Sequence, residues 1–217
     1  MSRPKLQLAL DNPDLTASLA AAQKAQSQVD VIEVGTILAV ENGMQAVRIM
    51  KSLFPDHIVL ADIRIIKAGG KLAKLAFDSG ADWVTVMSDA SNDTIEAVVK
   101  EAKSRENKDV QIEINRSFTD EQADYWRSLG ITQLIYHRSN EVVDEEEKWS
   151  PQVIERLKGL AEKGFQLSIT GGLAVDEIKL FKDVPVYCFI AGRRIANAED
   201  PLSAAKAYKD EIISVFG

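Results

Sequence analysis

The chain has 217 residues, of which 46% are hydrophobic and 27% are charged, a composition typical of a globular protein. Its 33 acidic and 26 basic side chains give a formal net charge of −7, which argues against nucleic-acid or anionic-membrane binding. The single cysteine, Cys188, excludes an intrachain disulfide and fits a reducing compartment. Because we find neither a membrane-spanning apolar run nor a signal-peptide pattern, we expect a cytoplasmic protein. The chain length fits one domain over residues 1–217.

Short apolar runs occur at intervals along the whole chain. Each is about five residues long and mostly continuous in hydrophobicity, as expected for parallel strands that are covered on both faces. The predicted strands are Leu6–Leu10, Asp30–Val34, Ile58–Ala61, Trp83–Met87, Val110–Ile114, Gln133–Tyr136, Gln166–Thr170 and Val186–Ile190.

The segments between these runs carry helix signals. Thr119 and Gln122 have the spacing of a capping box, in which each side chain binds the other residue's backbone N–H. Ser150 and Asp200 each precede a proline, the pattern of an N-cap followed by the first helical residue. The chain therefore alternates between strands and helices.

The spacing of these elements predicts the fold. Strand starts recur about every 20–35 residues, the length of one βα unit, and eight such units predict a (β/α)8 barrel. The alternative is an open doubly wound sheet, which usually has a glycine-rich turn after its first strand. The segment Leu10–Asp14 contains no glycine, which favours the barrel.

Ionisable residues follow several predicted strands, where a barrel carries its active site. They are Asp11, Glu33, Asp62, Glu113 and His137. Such residues can also be helix caps, and this alternative remains open for Asp11. It suits Glu33 poorly, because Glu33 lies inside an apolar run and a buried carboxylate must be paired or bind a cation.

The ends of the seventh and eighth strands have a different character. They read Ile169-Thr-Gly-Gly172 and Ile190-Ala-Gly-Arg-Arg194. Glycines allow a ligand to approach the backbone closely, and barrels frequently bind phosphate at these two loops. A tight turn would explain one glycine pair equally well, but the two turns together favour a phosphorylated small substrate.

The acidic cluster can hold a divalent cation. Carboxylate oxygens point to Mg²⁺, and no His/Cys spacing in the sequence fits zinc. A cation beside acids and a histidine suits chemistry through an enediolate, because positive charge and hydrogen-bond donors neutralise the developing negative charge.

Seven segments together carry a family signature: Leu6–Asp11, Val31–Thr36, Gly80–Val84, Val110–Glu113, Ile135–Ser139, Thr170–Leu173 and Phe189–Arg193. They resemble the 3-keto-L-gulonate 6-phosphate decarboxylase and hexulose-6-phosphate synthase group of the orotidine 5′-monophosphate decarboxylase superfamily. The resemblance covers essentially the whole chain. It implies a (β/α)8 barrel, a Mg²⁺ ion, and an obligate homodimer with active sites at the interface.

The resemblance also implies residue roles. The metal ligands are Glu33 and Asp62, and the water-activating histidine is His137. Asp11 lies near the substrate, and Glu113 matches an active-site glutamate. The phosphate-binding residues are Gly172, Gly192 and Arg193, and Thr170 adds a substrate contact at the end of the seventh strand.

Three positions depart from the family pattern. The third-strand signature Asp-x-Lys-x-x-Asp reads Asp62-Ile-Arg-Ile-Ile-Lys67, so Arg64 replaces the lysine and Lys67 replaces the second aspartate. Asn140 replaces an arginine after the sixth strand. Arg64 can still neutralise charge but hardly acts as a proton donor. We predict that Asn140 contacts the substrate. For Lys67, one hypothesis is that its side chain reaches across the dimer interface and restores the missing amine, and the alternative is a diverged site that has lost the family reaction.

The preferred function is Mg²⁺-dependent decarboxylation of 3-keto-L-gulonate 6-phosphate or a related β-keto sugar-acid phosphate in carbohydrate catabolism. Asp62, Arg64, Lys67 and His137 are its predicted catalytic residues. The alternatives are a sugar-phosphate aldol synthase, isomerase or epimerase, and a non-catalytic sugar-phosphate binder.

Overall fold

Eight parallel strands form a closed barrel, in which each strand pairs with its neighbours in chain order and the last pairs with the first. The protein is described by a computed structural model, which covers residues 3–114, 117–138 and 149–217. The predicted (β/α)8 barrel is therefore confirmed, and the alternative of an open sheet is excluded.

The strands lie close to their predicted positions. Seven of the eight agree with the prediction to within one residue at each end, and the exception is the third strand, which continues past Ala61. The strands are β1 Lys5–Leu10, β2 Val31–Val34, β3 Ile58–Ile65, β4 Trp83–Met87, β5 Asp109–Ile114, β6 Gln133–His137, β7 Gln166–Thr170 and β8 Val186–Ala191.

Helices surround the barrel. In the described part of the chain they are α1 Leu15–Ala25, α2 Thr36–Asn42, α3 Met44–Leu53, α4 Gly69–Asp78, α5 Asn92–Lys103, α6 Asp120–Ser128, α7 Pro151–Glu162, α8 Arg193–Ala196 and α9 Pro201–Phe216, with 3-10 helices at Gln26–Gln28 and Val175–Phe181. The capping box at Thr119 and the caps at Ser150 and Asp200 form as predicted. Of these helices, none has the length and apolar character to cross a membrane.

The extension of β3 depends on an irregularity in its backbone. Its pairing with β4 shifts register between Ala61 and Ile65, and Arg64 has a φ of 43°, which is uncommon for a residue with a side chain. The backbone N–H of Arg64 donates to Thr85 Oγ1 at 2.9 Å. The predicted end at Ala61 was too early because the bulge lets the strand continue to the mouth of the barrel.

An ion-pair cluster around Asp82 lies at the opposite, amino-terminal end of the barrel. Its carboxylate binds Lys51 Nζ at 2.8 Å and Lys108 Nζ at 3.0 Å, and accepts the Val59 backbone N–H at 2.9 Å. Burial alone would raise the pKa of Asp82, but these three donors lower the pKa below its usual range. The cluster links the starts of β3, β4 and β5.

Candidate active site

A cavity of about 880 Å³ lies at the carboxyl ends of the strands. Its lining includes Asp11, Glu33, Asp62, Arg64, Glu113, His137, Thr170, Gly172, Gly192 and Arg193, all of which were predicted as site residues. Lys67 is exposed and is not part of this lining. Asn140 falls outside the described residues. The fold thus collects most of the predicted residues in one space, while their individual roles stay predictions.

Two buried carboxylates, those of Glu33 on β2 and Asp62 on β3, form the acidic wall of the cavity. Gln7 Nε2 donates to Glu33 Oε2 at 2.5 Å, and Thr36 and Thr85 donate to Asp62 at 2.8 and 2.7 Å. Burial and the charge of Asp62 raise the pKa of Glu33 to about 8. Burial and the charge of Glu113 likewise raise the pKa of Asp62. Bringing a cation to this wall would relieve the repulsion.

Arg64 faces this wall from the bulge in β3. Its Nε lies 3.3 Å from Glu113 Oε2 and 3.5 Å from Asp62 Oδ2. Partial burial lowers the pKa of Arg64, but the attraction of Glu113 and Asp62 outweighs burial and raises the pKa above its usual range. As expected from its position two residues after Asp62, the Arg64 side chain shares the cavity with it.

Glu113 also holds His137. Glu113 Oε1 lies 3.1 Å from His137 Nδ1, while its other oxygen faces Arg64. Because a carboxylate only accepts hydrogen bonds, this contact assigns a proton to Nδ1 and leaves Nε2 as the ring nitrogen for exchange with a ligand. Glu113 therefore fixes the orientation of the histidine.

Asp11 has a structural contact as well as a place in the lining. Its Oδ1 accepts the backbone N–H of Ile37 at 2.8 Å, in the first turn of α2. A Cβ atom on Gly35 would lie 2.7 Å from both Asp11 Oδ1 and the Leu10 carbonyl oxygen, so only glycine fits there. One oxygen of Asp11 therefore acts as the helix-cap interpretation expects, and Asp11 also lines the cavity.

Glycines form the opposite wall. Gly171 and Gly172, which we call the diglycine turn, have φ values of 112° and 67°, in the region that favours glycine. A Cβ on Gly171 would lie only 2.3 Å from the Arg138 carbonyl oxygen. Gly192 and Arg193 line the same space at the start of α8. This wall has the backbone N–H groups and the cation that an anion needs.

Several contacts at the site were not predicted from the sequence. Thr85 and Thr36 bind Asp62, Gln7 binds Glu33, and Arg138 and Arg194 donate to the diglycine turn. Thr85 and Gln7 are buried on β4 and β1, and only the folded barrel brings their side chains to Asp62 and Glu33. No motif marks them.

The fit of the site to Mg²⁺ rests on Glu33 and Asp62. Within residues 3–114, 117–138 and 149–217, no group of three or more His, Cys, Asp or Glu residues is arranged as a metal site. Mg²⁺ usually takes one or two carboxylates and completes its coordination with water and substrate oxygens. Two mutually repelling buried carboxylates are a suitable donor set, so the two residues fit this ion.

A (β/α)8 barrel with an acidic wall facing an anion-binding wall belongs to the class of barrels that bind small phosphorylated molecules. Within that class, the chain belongs to the orotidine 5′-phosphate decarboxylase / HUMPS family, which it matches over residues 4–208. The family resemblance drawn from the sequence is confirmed.

Individual proteins of known name resemble the chain over its full length. The chain is 43% identical to the 3-keto-L-gulonate-6-phosphate decarboxylase UlaD of Salmonella paratyphi B, over all of both chains. The crystal structure of KGPDC from Streptococcus mutans in complex with a sugar phosphate has 40% identity and a TM-score of 0.96, again over all of both chains. The 3-hexulose-6-phosphate synthase of Salmonella typhimurium has 27% identity and a TM-score of 0.88, covering 97% of this chain and 99% of its own.

Proposed function

We propose that this chain is a carbon–carbon lyase that decarboxylates 3-keto-L-gulonate 6-phosphate. One observation carries the proposal: a single cavity joins an anion-binding wall to a wall of buried carboxylates that holds Arg64. The UlaD and KGPDC proteins match the chain end to end at 40–43% identity, whereas the hexulose-phosphate synthases match at 27–32%. These values favour the decarboxylase over the synthase.

Substrate binding divides between the two walls. The phosphate group binds at Gly172, Gly192 and Arg193, and the reacting end of the sugar extends toward Asp62. Thr170 and Asp11 line the space between them. Because the substrate is anionic at both ends, Arg64 and Arg193 supply the opposite charge at each.

The reaction breaks the bond between the carboxylate carbon and its neighbour. The carboxylate leaves as CO₂, and the bonding electrons remain as an enediolate. Arg64 lines the cavity and carries the positive charge that stabilises this anion. His137, oriented by Glu113, delivers a proton to the carbon through water and completes the pentulose 5-phosphate product.

We also propose that Mg²⁺ is the cofactor and that Glu33 and Asp62 hold it. When bound, the ion would polarise the substrate oxygens on which negative charge develops. The raised pKa of Glu33, caused by burial and the charge of Asp62, supports the assignment because a cation at this position offsets both effects.

A homodimer is the proposed assembly. The large apolar side chains Ile37 and Val40 on α2 and Ile66 after β3 are 49%, 78% and 44% exposed. They lie on the segments that follow two adjacent strands, and Lys67 adjoins Ile66. A second copy that covers these side chains would bring the cavity of that second copy close to Lys67 of the first, as the sequence resemblance suggests. The acidic composition, with no basic run, supports the proposal of no nucleic-acid or membrane partner. The single cysteine, Cys188, fits a reducing compartment and supports the proposal of a cytoplasmic location.

The direct test follows CO₂ release from 3-keto-L-gulonate 6-phosphate with Mg²⁺ present. We expect one CO₂ and one pentulose 5-phosphate per substrate consumed. Arg64→Met should lower kcat by roughly 100-fold or more, because the enediolate loses its cationic partner. Arg64→Lys is the matched control, since it retains the charge and should retain more activity.

Two outcomes contradict the proposal. Absence of CO₂ release from folded protein with Mg²⁺ would exclude the decarboxylase. Exchange of substrate C–H with deuterated water, without loss of CO₂, would instead support the synthase, isomerase or epimerase alternative, which uses a similar enediolate.

A further inference from the structure

The two carbonyl groups of the diglycine turn are both bound by arginine side chains. Arg138 Nε donates to the Gly171 carbonyl oxygen at 3.0 Å, and Arg194 Nε donates to the Gly172 carbonyl oxygen at 3.1 Å. These contacts fix the orientation of the two peptide planes that follow Gly171 and Gly172.

The orientation of these planes decides where their N–H groups point. In a trans peptide the N–H and C=O groups point in opposite directions, so the N–H groups of Gly172 and Leu173 face away from the arginines. Across residues 3–114, 117–138 and 149–217, neither N–H has a hydrogen-bond acceptor. Because Gly172 and Leu173 line the cavity, these two donors are available to an anion there.

Arg138 lines the cavity, but the side chains that hold it lie outside the cavity lining. Its guanidinium carbon lies 4.8 Å from the centre of the Trp149 ring, and Nη1 donates to Glu177 Oε1 at 3.1 Å. Glu177 Oε2 accepts the Ala174 backbone N–H at 2.7 Å at the start of the 3-10 helix. One face of the guanidinium group is therefore covered by the Trp149 ring, Nη1 is bound by Glu177, and Nε donates to the turn.

From this geometry we propose that Arg138 is a positioning residue for the phosphate site, which orients the N–H groups of the diglycine turn and depends on Glu177 for its own placement. The inference deepens the proposed function, since the ligand is the phosphate monoester of a sugar. It assigns Arg138 an action through the turn, rather than through direct charge attraction to the ligand.

Glu177 separates these two modes of action, because it is not part of the cavity lining. In Glu177→Gln the side-chain oxygen can still accept from Ala174, but the negative charge opposite Arg138 is lost. If Arg138 acts by positioning, phosphate binding weakens. If Arg138 attracts phosphate by charge alone, removal of a nearby negative charge leaves binding unchanged or strengthens it.

The experiment measures calorimetric affinity for D-ribose 5-phosphate and for D-ribose with the full chain. We expect Arg138→Met to bind the phosphate ester about tenfold more weakly and Glu177→Gln about threefold more weakly, with little change for D-ribose. Arg127→Met is the matched control: Arg127 also donates to a carbonyl oxygen, that of Ile131, and lies over an aromatic ring, that of Phe165, but it is outside the cavity lining. Its affinity should equal that of the unaltered protein.

Kinetics with the decarboxylase substrate give a second measurement. Arg138→Met and Glu177→Gln should each raise KM and change kcat by less than about threefold, because the diglycine turn binds a part of the substrate that does not react. Unchanged or tighter phosphate-ester binding by Glu177→Gln overturns the inference, whether or not Arg138→Met folds. Since binding is measured without turnover, absence of decarboxylation would overturn the proposed reaction alone.

Discussion

The free energy needed to bury the Glu33 carboxyl group depends on pH. Burial and the charge of Asp62 raise its pKa from an ordinary value of 4.5 to about 8. Between these two values the folded chain binds more protons at this group than the unfolded chain does. The contribution of Glu33 to stability is therefore complete below pH 4.5 and is lost progressively as the pH rises to about 8.

Glu33→Gln should remove this pH dependence. In Mg²⁺-free buffer at pH 8 we expect the variant to have the higher free energy of unfolding, by on the order of 3 kcal/mol. Urea unfolding at several pH values measures this effect, with the exposed Glu41 changed to Gln as the control. Added Mg²⁺ should stabilise the original chain more than Glu33→Gln. Equal stability of the two proteins at pH 8 would contradict the assignment of Glu33 as a buried, repelled carboxylate.

His137 should be needed for proton delivery rather than for binding. His137→Asn removes the nitrogen that exchanges the proton, so we expect kcat to fall by roughly 10²- to 10⁴-fold with a small change in KM. His57, the other of the two histidines, binds the Gln26 carbonyl oxygen and lines a different pocket, near Lys51 and Lys108. His57→Asn is therefore the matched control, and a similar loss of kcat in both variants would argue against the role of His137.

At the scale of elements, one threonine connects β3 and β4. Thr85 Oγ1 accepts the Arg64 backbone N–H at 2.9 Å and donates to Asp62 Oδ1 at 2.7 Å. The same hydroxyl group thus stabilises the bulge and orients an acidic side chain of the site.

Thr85→Val keeps the side-chain shape but removes both hydrogen bonds. We expect the free energy of unfolding to fall by about 2–3 kcal/mol, because a buried N–H and a buried carboxylate oxygen lose their partner. We also expect kcat/KM to fall, since Arg64 and Asp62 both shift. Thr85→Ser retains the hydroxyl and should lose far less of either; chemical unfolding and steady-state kinetics distinguish the two. Equal losses in both variants would show that packing, not the hydroxyl, matters at this position.

The sequence predicts the barrel well because each buried strand is a continuous apolar run bounded by polar residues. It predicts most of the cavity lining for a related reason: strand ends in a barrel converge wherever they lie in the chain. It does not predict the bulge in β3, which depends on the contact between Arg64 and Thr85. Nor does it predict the support of the diglycine turn, since Arg138, Trp149 and Glu177 come together only through the fold.

At the scale of the whole molecule, the exposed apolar side chains of α2 and of the segment after β3 predict self-association. Val40→Asp together with Ile66→Asp should convert the proposed dimer to a monomer, because both changes place charge in an apolar interface. Sedimentation velocity measures the mass. Leu180→Asp alters another exposed apolar residue, on the 3-10 helix at Val175–Phe181, and should leave the mass unchanged. A monomeric original chain would contradict the proposed assembly.

The ion-pair cluster around Asp82 has a consequence for how this barrel tolerates mutation. It ties three strands together at the end away from the cavity, and among residues 3–114, 117–138 and 149–217 it shares no hydrogen-bond or ion-pair partner with Asp62, Arg64 or Glu113. Changes in the free energy of unfolding caused by substitutions in the cavity should therefore be additive with those caused by substitutions around Asp82. In a laboratory selection for new sugar specificity, stabilising substitutions could first be made around Asp82 at the amino-terminal end of the barrel. These would raise the free energy of unfolding without changing the residues that bind the sugar.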